Sequence, residues 1–250
     1  MRALVLSDIH ANLQALQAVL AFAPEYDAVW NLGDVVGYGA NPNEVIEIVR
    51  SMGHLVVRGN HDRASCDPAS LDYFSEIAAA AIRWTHSALI PEHLAWLHDF
   101  PPGPVSPQDS DALCVHGSPR DEDEYLFALE DAQDSFRANP ARMIFFGHTH
   151  RQEAFATTRE EQFHLRPQYS SAVEPEQCEV TLRKGARYLI NPGSVGQPRD
   201  GDWRAAFALY DDARELLTWC RVPYEMDKAQ KSIRRAGLPD RLAERLATGR

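Results

Sequence analysis

Ala3-Leu4-Val5-Leu6-Ser7-Asp8-Ile9-His10-Ala11-Asn12 joins a run of four apolar residues to a carboxylate and an imidazole two positions apart. An apolar run without polar alternation reads as a strand covered on both faces. Asn12 is placed to cap the next segment, where Leu13, Leu16, Ala18, Val19 and Leu20 recur with helical spacing up to Pro24. The same unit then repeats. Ala28 to Leu32 reads as a strand, Asn43 to Arg50 as a helix between Pro42 and Gly53, and His54 to Arg58 as a third strand. A β-α-β-α-β opening predicts a parallel sheet with helices packed on it.

Further along the periodicity changes. Residues from about Ser70 to Leu97 are helix-like, with Leu71, Phe74, Ile77, Ala78, Ile82 and Leu89 as inward positions, and Phe100-Pro101-Pro102-Gly103-Pro104 reads as a loop. Ala112 to Val115 and Arg142 to Phe146 are expected strands, with an acidic helical stretch from Glu124 to Arg137 between them. Ala186 to Ile190, Ala205 to Tyr210 and Leu216 to Cys220 follow as strands, with a turn at Asp211 to Arg214. Thr157 to Gly185 is polar enough to read as a mobile surface excursion. The tail from Met226 reads as two short helices split at Gly237-Leu238-Pro239.

At 250 residues with 44% hydrophobic composition, the chain is expected to form a single domain, 1–250, with a sizeable core. A net charge of −11 argues against a broad basic surface for nucleic acid, including a nuclease acting on polymers. It leaves room for a small phosphorylated substrate whose charge bound metal ions would balance. Cys66, Cys114, Cys178 and Cys220 form no C-x-x-C pair and read as thiols in a reducing compartment. With no signal-peptide pattern and no membrane-length apolar stretch, a cytoplasmic, membrane-free location is expected.

Asp8-Ile9-His10 is the first of five groups of metal-type ligands. The others are Gly33-Asp34, Gly59-Asn60-His61-Asp62, Val115-His116-Gly117 and Gly147-His148-Thr149-His150. Most follow an expected strand, and ligands in open α/β sheets collect outside the carboxyl ends of the strands. On an extended chain, residues two apart point to one side, so Asp8 and His10 can share an ion, and so can His148 and His150. The donors are imidazole nitrogen with carboxylate and amide oxygen and no thiolate, which suits Mn, Fe or Zn, with Ni or Mg also admissible. There are more ligands than one ion needs. Two divalent ions, about 3.5–4 Å apart, are expected, with Asp34 as the natural bridge.

Singly these motifs are weak: Gly-Asp is common in turns, and a lone histidine is more often packed than ligating. Together and in this order, the D-x-H, GD, GNHD, H and GHxH blocks resemble the calcineurin-like metallophosphoesterases. Ser7-Asp8-Ile9-His10-Ala11-Asn12, His116-Gly117-Ser118-Pro119-Arg120 and Asn191-Pro192-Gly193-Ser194 look like that family's small bacterial and archaeal phosphodiesterase-like branch. The resemblance implies a four-layer α-β-β-α sandwich, with about 68–100 as a helical insertion or cap. It places one metal on Asp8, His10, Asp34 and His150, and the other on Asp34, Asn60, His116 and His148. His148 and His150 would thus serve different ions. His61 would contact the phosphoryl group and protonate the leaving oxygen.

The function implied is hydrolysis of a phosphodiester or nucleotide-type phosphate ester by direct attack of a metal-bridging hydroxide. Alternatives are a phosphomonoesterase or protein phosphatase of the same fold, and a catalytically silent binding scaffold, which the complete ligand set and His61 disfavour. Asn12, Arg120 and Arg199 are substrate-contact candidates, each weighed against a helix cap or a surface ion pair. Tyr38 is a pocket-wall candidate, and Asp62 is expected to orient His61 or to stabilise its loop. His54, His86, His93, His98 and His164 are assigned to surface or packing, as are Trp84, Leu94, Trp96 and Leu97. Strand-rich edges are compatible with a homodimer.

Overall fold

The apolar runs assemble into two sheets. In this computed structural model, which describes residues 1–250 except 54, 70 and 109, β1 (Arg2–Leu6), β2 (Ala28–Asn31) and β3 (Leu55–Val56) pair in parallel. Helices α1 (Leu13–Phe22) and α2 (Pro42–Met52) connect them. The other edge of β1 takes β10 (Ala205–Asp211), followed by β11 (Leu216–Val222) and β8 (Glu176–Thr181), all antiparallel, so this six-stranded sheet is mixed. The second sheet runs β4 (Ala112–Cys114), β5 (Met143–Phe145), β9 (Arg187–Pro192), β6 (Gln152–Thr157) and β7 (Gln162–Leu165).

Strand alternation sorts the core into layers. Leu4 and Leu6 of β1 face α1 and α2, along with α7 (Met226–Arg235) and α8 (Asp240–Leu246), while Ala3 and Val5 face the other sheet. Met143 and Phe145 likewise point between the sheets, and Ile144 points outward to α6 (Leu129–Ala138). The result is the four-layer α-β-β-α sandwich. Between the sheets, Trp30 and Phe145 pack edge to face with ring centroids 5.3 Å apart, and Trp219 donates its indole N–H to the Asn191 carbonyl of the opposite sheet at 2.9 Å. Each such large apolar side chain contributes about 1.5–3 kcal/mol by leaving water.

Three expectations need correcting. The helix expected from 70 begins only at Glu76, where the Ser75 hydroxyl accepts from the Ala78 N–H at 3.3 Å. It ends at Ala88, and Pro91 at a new N-terminus starts α5 (Pro91–His98) after α4 (Glu76–Ala88). The acidic stretch is helical only from Leu129, because the Asp131 carboxylate turns back to accept the Phe127 and Ala128 N–H groups at 2.9 and 3.0 Å. Thr157 to Gly185 is not a structureless excursion. It carries β7 and β8, whose exposed polar residues are those of edge strands. The start of the expected third strand, His54 with its packing assignment, and Ser70 lie outside the described residues.

Histidines assigned to packing have ordinary partners: His86 bonds the Ser65 carbonyl, His93 bonds Asn43, and His164 bonds Glu153, each at 2.8 Å. Trp84, Leu94, Trp96 and Leu97 pack on the core beneath the helices. All four cysteines are free thiols. Among the described residues no helix is long and apolar enough to cross a membrane.

Candidate metal centre

The ligand turns lie just past strand ends β1, β2, β4 and β5, with a further group at the start of α3 (Asn60–Cys66), beyond β3. Their backbone is not extended. Asp8, His10, Asp34, His148 and His150 have φ of 53°, 50°, 54°, 66° and 59°, the left-handed region. Asp and His tolerate it better than most residues, and Gly33 at φ 99° prepares the turn to Asp34. A Cβ on Gly33 would come within 2.6 Å of the Gly59 nitrogen, so the close approach of two ligand loops also requires glycine there.

This backbone corrects the period-two expectation for the last motif. With both residues left-handed, His148 and His150 diverge. His150 joins Asp8, His10 and Asp34 in one cluster of donor atoms, and His148 joins Asp34 and His116 in a second. Asn60 belongs beside the second, its side-chain oxygen 3.1 Å from His116 Nε2. Asp34 Oδ2 lies 3.5 Å from both His10 Nε2 and His116 Nε2, between the clusters. Asp8, His10, Asp34, Asn60, His116, His148 and His150 are thus all brought together, and all are buried.

Backbone carbonyls fix which imidazole nitrogen faces inward. His10, His116 and His150 direct Nδ1 at the carbonyls of Val36, Leu32 and Gln197, at 3.1, 2.8 and 2.6 Å. A carbonyl only accepts, so each Nδ1 carries hydrogen and each Nε2 presents its other valence to the centre. His148 is reversed, with Nε2 against the Asp123 carbonyl at 3.2 Å. Burial holds His10 and His150 well below the ordinary histidine range. Their two Nε2 lone pairs therefore confront each other at 3.1 Å. That contact is repulsive unless a cation lies beside it.

The second cluster holds its positive charge as a proton. Burial acts to lower His116, but the Asp34 carboxylate overrides it and lifts the imidazole to about 10. Asp34 is itself pushed up by burial, then held well below the carboxylate range by His116, His61 and His10. Asp8 is raised to about 7 by burial, and its Oδ2 is a buried oxygen without a hydrogen-bond partner. Burial lowers His148 to about 3. Four inward-facing imidazoles, two buried carboxylates, one with an orphaned oxygen, and an amide oxygen fit a pair of divalent cations, whose binding would displace the His116 proton.

His61 stands next to the clusters without joining either. Its backbone N–H donates to Asp34 Oδ1 at 2.8 Å, and its ring packs against Tyr38, His10 and Phe74 with centroids 4.3, 4.9 and 5.3 Å away. Its Nδ1 is buried without a partner, which leaves Nε2 as the nitrogen available to the cavity. Burial lowers this imidazole to about 4. Asp62 stabilises the loop rather than the His61 ring, its two oxygens accepting the Val36 and Gly59 N–H groups at 3.1 Å each.

A cavity of about 790 Å³ opens over the centre between Tyr38, His61, His148 and Arg199 on one side and Asp67, Ala69, Tyr73, Phe74, Ser75 and Ala78 on the other. Of the substrate candidates, only Arg199 lines it. Asn12 is committed elsewhere, its oxygen capping α1 at the Ala15 N–H and its amide donating to the Gly196 carbonyl. Arg120 is paired with Glu124 and Asp134 outside the cavity lining. Sequence reasoning missed Tyr73, Tyr125 and Arg245 in the wall. Tyr125 stacks on His148 with centroids 3.8 Å apart, and an aromatic pair in an acidic loop, Tyr125 and Phe127, was the available signal. Arg245 gave none, because only folding brings the tail to the site.

The fold and this ligand arrangement define a metallophosphoesterase. The family model for calcineurin-like phosphoesterases matches residues 1–152, and the chain belongs to that family. It is 38% identical over 251 residues to the uncharacterized protein MJ0912 of Methanocaldococcus jannaschii, spanning 98% of this chain and 97% of the relative. A metallophosphoesterase from Sphaerobacter thermophilus, known from its crystal structure, is 40% identical with a TM-score of 0.86, covering 100% of this chain and 99% of the other. A symmetrical bis(5'-nucleosyl)-tetraphosphatase of Pectobacterium carotovorum is 43% identical over 63 residues only, 23% of this chain and 22% of its own length.

Proposed function

We propose that this chain hydrolyses a phosphodiester or nucleotide-type phosphate ester at a centre of two divalent cations. The observation that carries this reading is the buried donor set that meets at Asp34: His10 Nε2 and His150 Nε2 face each other at 3.1 Å, and Asp34 Oδ2 stands 3.5 Å from both His10 Nε2 and His116 Nε2. Asp8, His10, Asp34 and His150 would hold one ion, and Asp34, Asn60, His116 and His148 the other. Such ions supply positive charge for phosphoryl oxygens and acidify water.

The protein's own residues orient the ester and move a proton. Arg199, on the cavity wall, holds a non-bridging phosphoryl oxygen. His61 Nε2 hands a proton to the departing oxygen. Lowered by burial, His61 is neutral at pH 7, and the negative charge of an arriving phosphate raises its pKa toward the working range. Tyr38, Phe74 and Tyr125 offer rings that suit an aromatic leaving group or a base, which favours the nucleotide-type ester. The short match to a dinucleoside tetraphosphatase points the same way.

The test is hydrolysis of bis(p-nitrophenyl) phosphate and p-nitrophenyl phosphate by protein loaded in turn with Mn²⁺, Fe²⁺, Zn²⁺, Ni²⁺ and Mg²⁺. Turnover of the diester, faster than the monoester and abolished by Asp34→Asn, is expected. Preference for the monoester would replace the diesterase reading with a monoesterase one. No turnover with any metal would leave a binding scaffold.

A further inference from the structure

Two guanidiniums share the wall of the cavity above the centre. Arg199 is fixed beside a ligand turn, its backbone N–H donating to the His150 carbonyl at 3.0 Å. Among the described residues its side chain reaches only neutral oxygens, Tyr38 Oη at 3.4 Å and Gln197 Oε1 at 3.2 Å, and its buried Nε has no partner. Arg245 arrives from α8, near the end of the chain, and lines the same cavity. Among the described residues its guanidinium has neither a hydrogen bond nor an ion pair, although α8 carries Asp240 and Glu244, which pair with Arg234 and Arg241 instead. Both guanidiniums act on the Tyr38 phenol, and Arg245 is lowered first by burial and then by the charge of Arg199.

Among the described residues, no carboxylate of the cavity wall forms an ion pair with either arginine. Asp123 is held by Arg63 at 2.8 Å, and Asp67 accepts the Ala69 N–H at 3.2 Å. Two half-buried arginines on one cavity wall, neither in a direct ion pair among the described residues, repel each other, and an entering anion relieves that repulsion. A planar guanidinium pair matches the oxygens of a phosphate group.

We propose that Arg245 forms a second anion subsite beside Arg199, which takes a phosphate of the substrate next to the one that reacts and that Arg199 holds. This rests on the phosphoesterase reading of the centre and narrows it to esters carrying at least two phosphorus groups, such as nucleoside polyphosphates. The C-terminal helix is then a specificity element. Esters with a single phosphate leave Arg245 unused.

Calorimetric titration of the Mn²⁺-loaded protein with AMP and with the α,β-methylene analogue of ADP tests the subsite without turnover of the diphosphate. The measured quantity is the ratio of the two affinities, compared between wild type and variants. Loaded with the same metals, the proteins share any chelation by the diphosphate, and it cancels. Arg245→Ala and Arg245→Gln should each lower the preference for the diphosphate about tenfold, the value of one charge-assisted contact, and Arg245→Lys should restore part of it. An unchanged ratio in Arg245→Gln overturns the subsite. If that ratio is unchanged while wild type hydrolyses bis(p-nitrophenyl) phosphate, the subsite fails and the esterase reading stands. If wild type hydrolyses no ester yet the ratio collapses in the variants, the subsite holds and the esterase reading falls.

Discussion

His61 and Asp34 touch each other through the His61 backbone N–H, not the imidazole, and this separates their expected phenotypes. His61→Ala keeps that hydrogen bond and every ligand, so turnover should fall by about 10²–10⁴-fold, the usual contribution of a proton donor, while elemental analysis still finds two ions per chain. Loss of the metals together with activity would show that the ring is structural. Asp34→Asn removes charge from the one oxygen that stands 3.5 Å from an imidazole of each cluster. Fewer than two ions per chain are expected, and a full complement would refute bridging. These residues were legible in sequence because their types and order are chemically restrictive. The division of His148 from His150 was not legible from spacing, since spacing assumes an extended chain and the turn is left-handed.

Helix α4 depends on one hydroxyl for its start, and Ser75 lies among the residues that wall the cavity. Ser75→Ala should cost about 1 kcal/mol in denaturant unfolding, the worth of a side-chain N-cap. A loss below a few tenths would mean that packing alone sets the helix start. Strands β1, β2, β5 and β10 were legible because continuous apolar runs buried on both faces leave few other readings. Edge strands β7 and β8 were not, for their exposed positions carry polar residues that a loop would also carry. The insertion was read as one helix because its apolar spacing persists through Leu71 and Phe74. Leu71 instead packs with Ala64, Ala79 and Ile82, and Phe74 beside them meets the His61 ring.

At the scale of the whole molecule, the centre gathers turns from both sheets, so bound cations should tie the sheets together. Chelation should lower the melting temperature by about 5–10 °C if loading at 100 times Kd adds about 2.7 kcal/mol to a chain of this size. An unchanged melting temperature after verified metal removal would show that the centre adds nothing to stability. The left-handed turns carry a different implication. Five ligands occupy backbone geometry that glycine would accept more readily by about 1 kcal/mol each. In metal-free protein, His148→Gly should therefore outlast His148→Ala in urea by about that amount, and equal midpoints would contradict it. The residues best suited to hold cations are thus poor choices for folding. Without metal, an inert descendant that had relaxed these turns would be harder to unfold than its active parent, and only bound cations reverse that order.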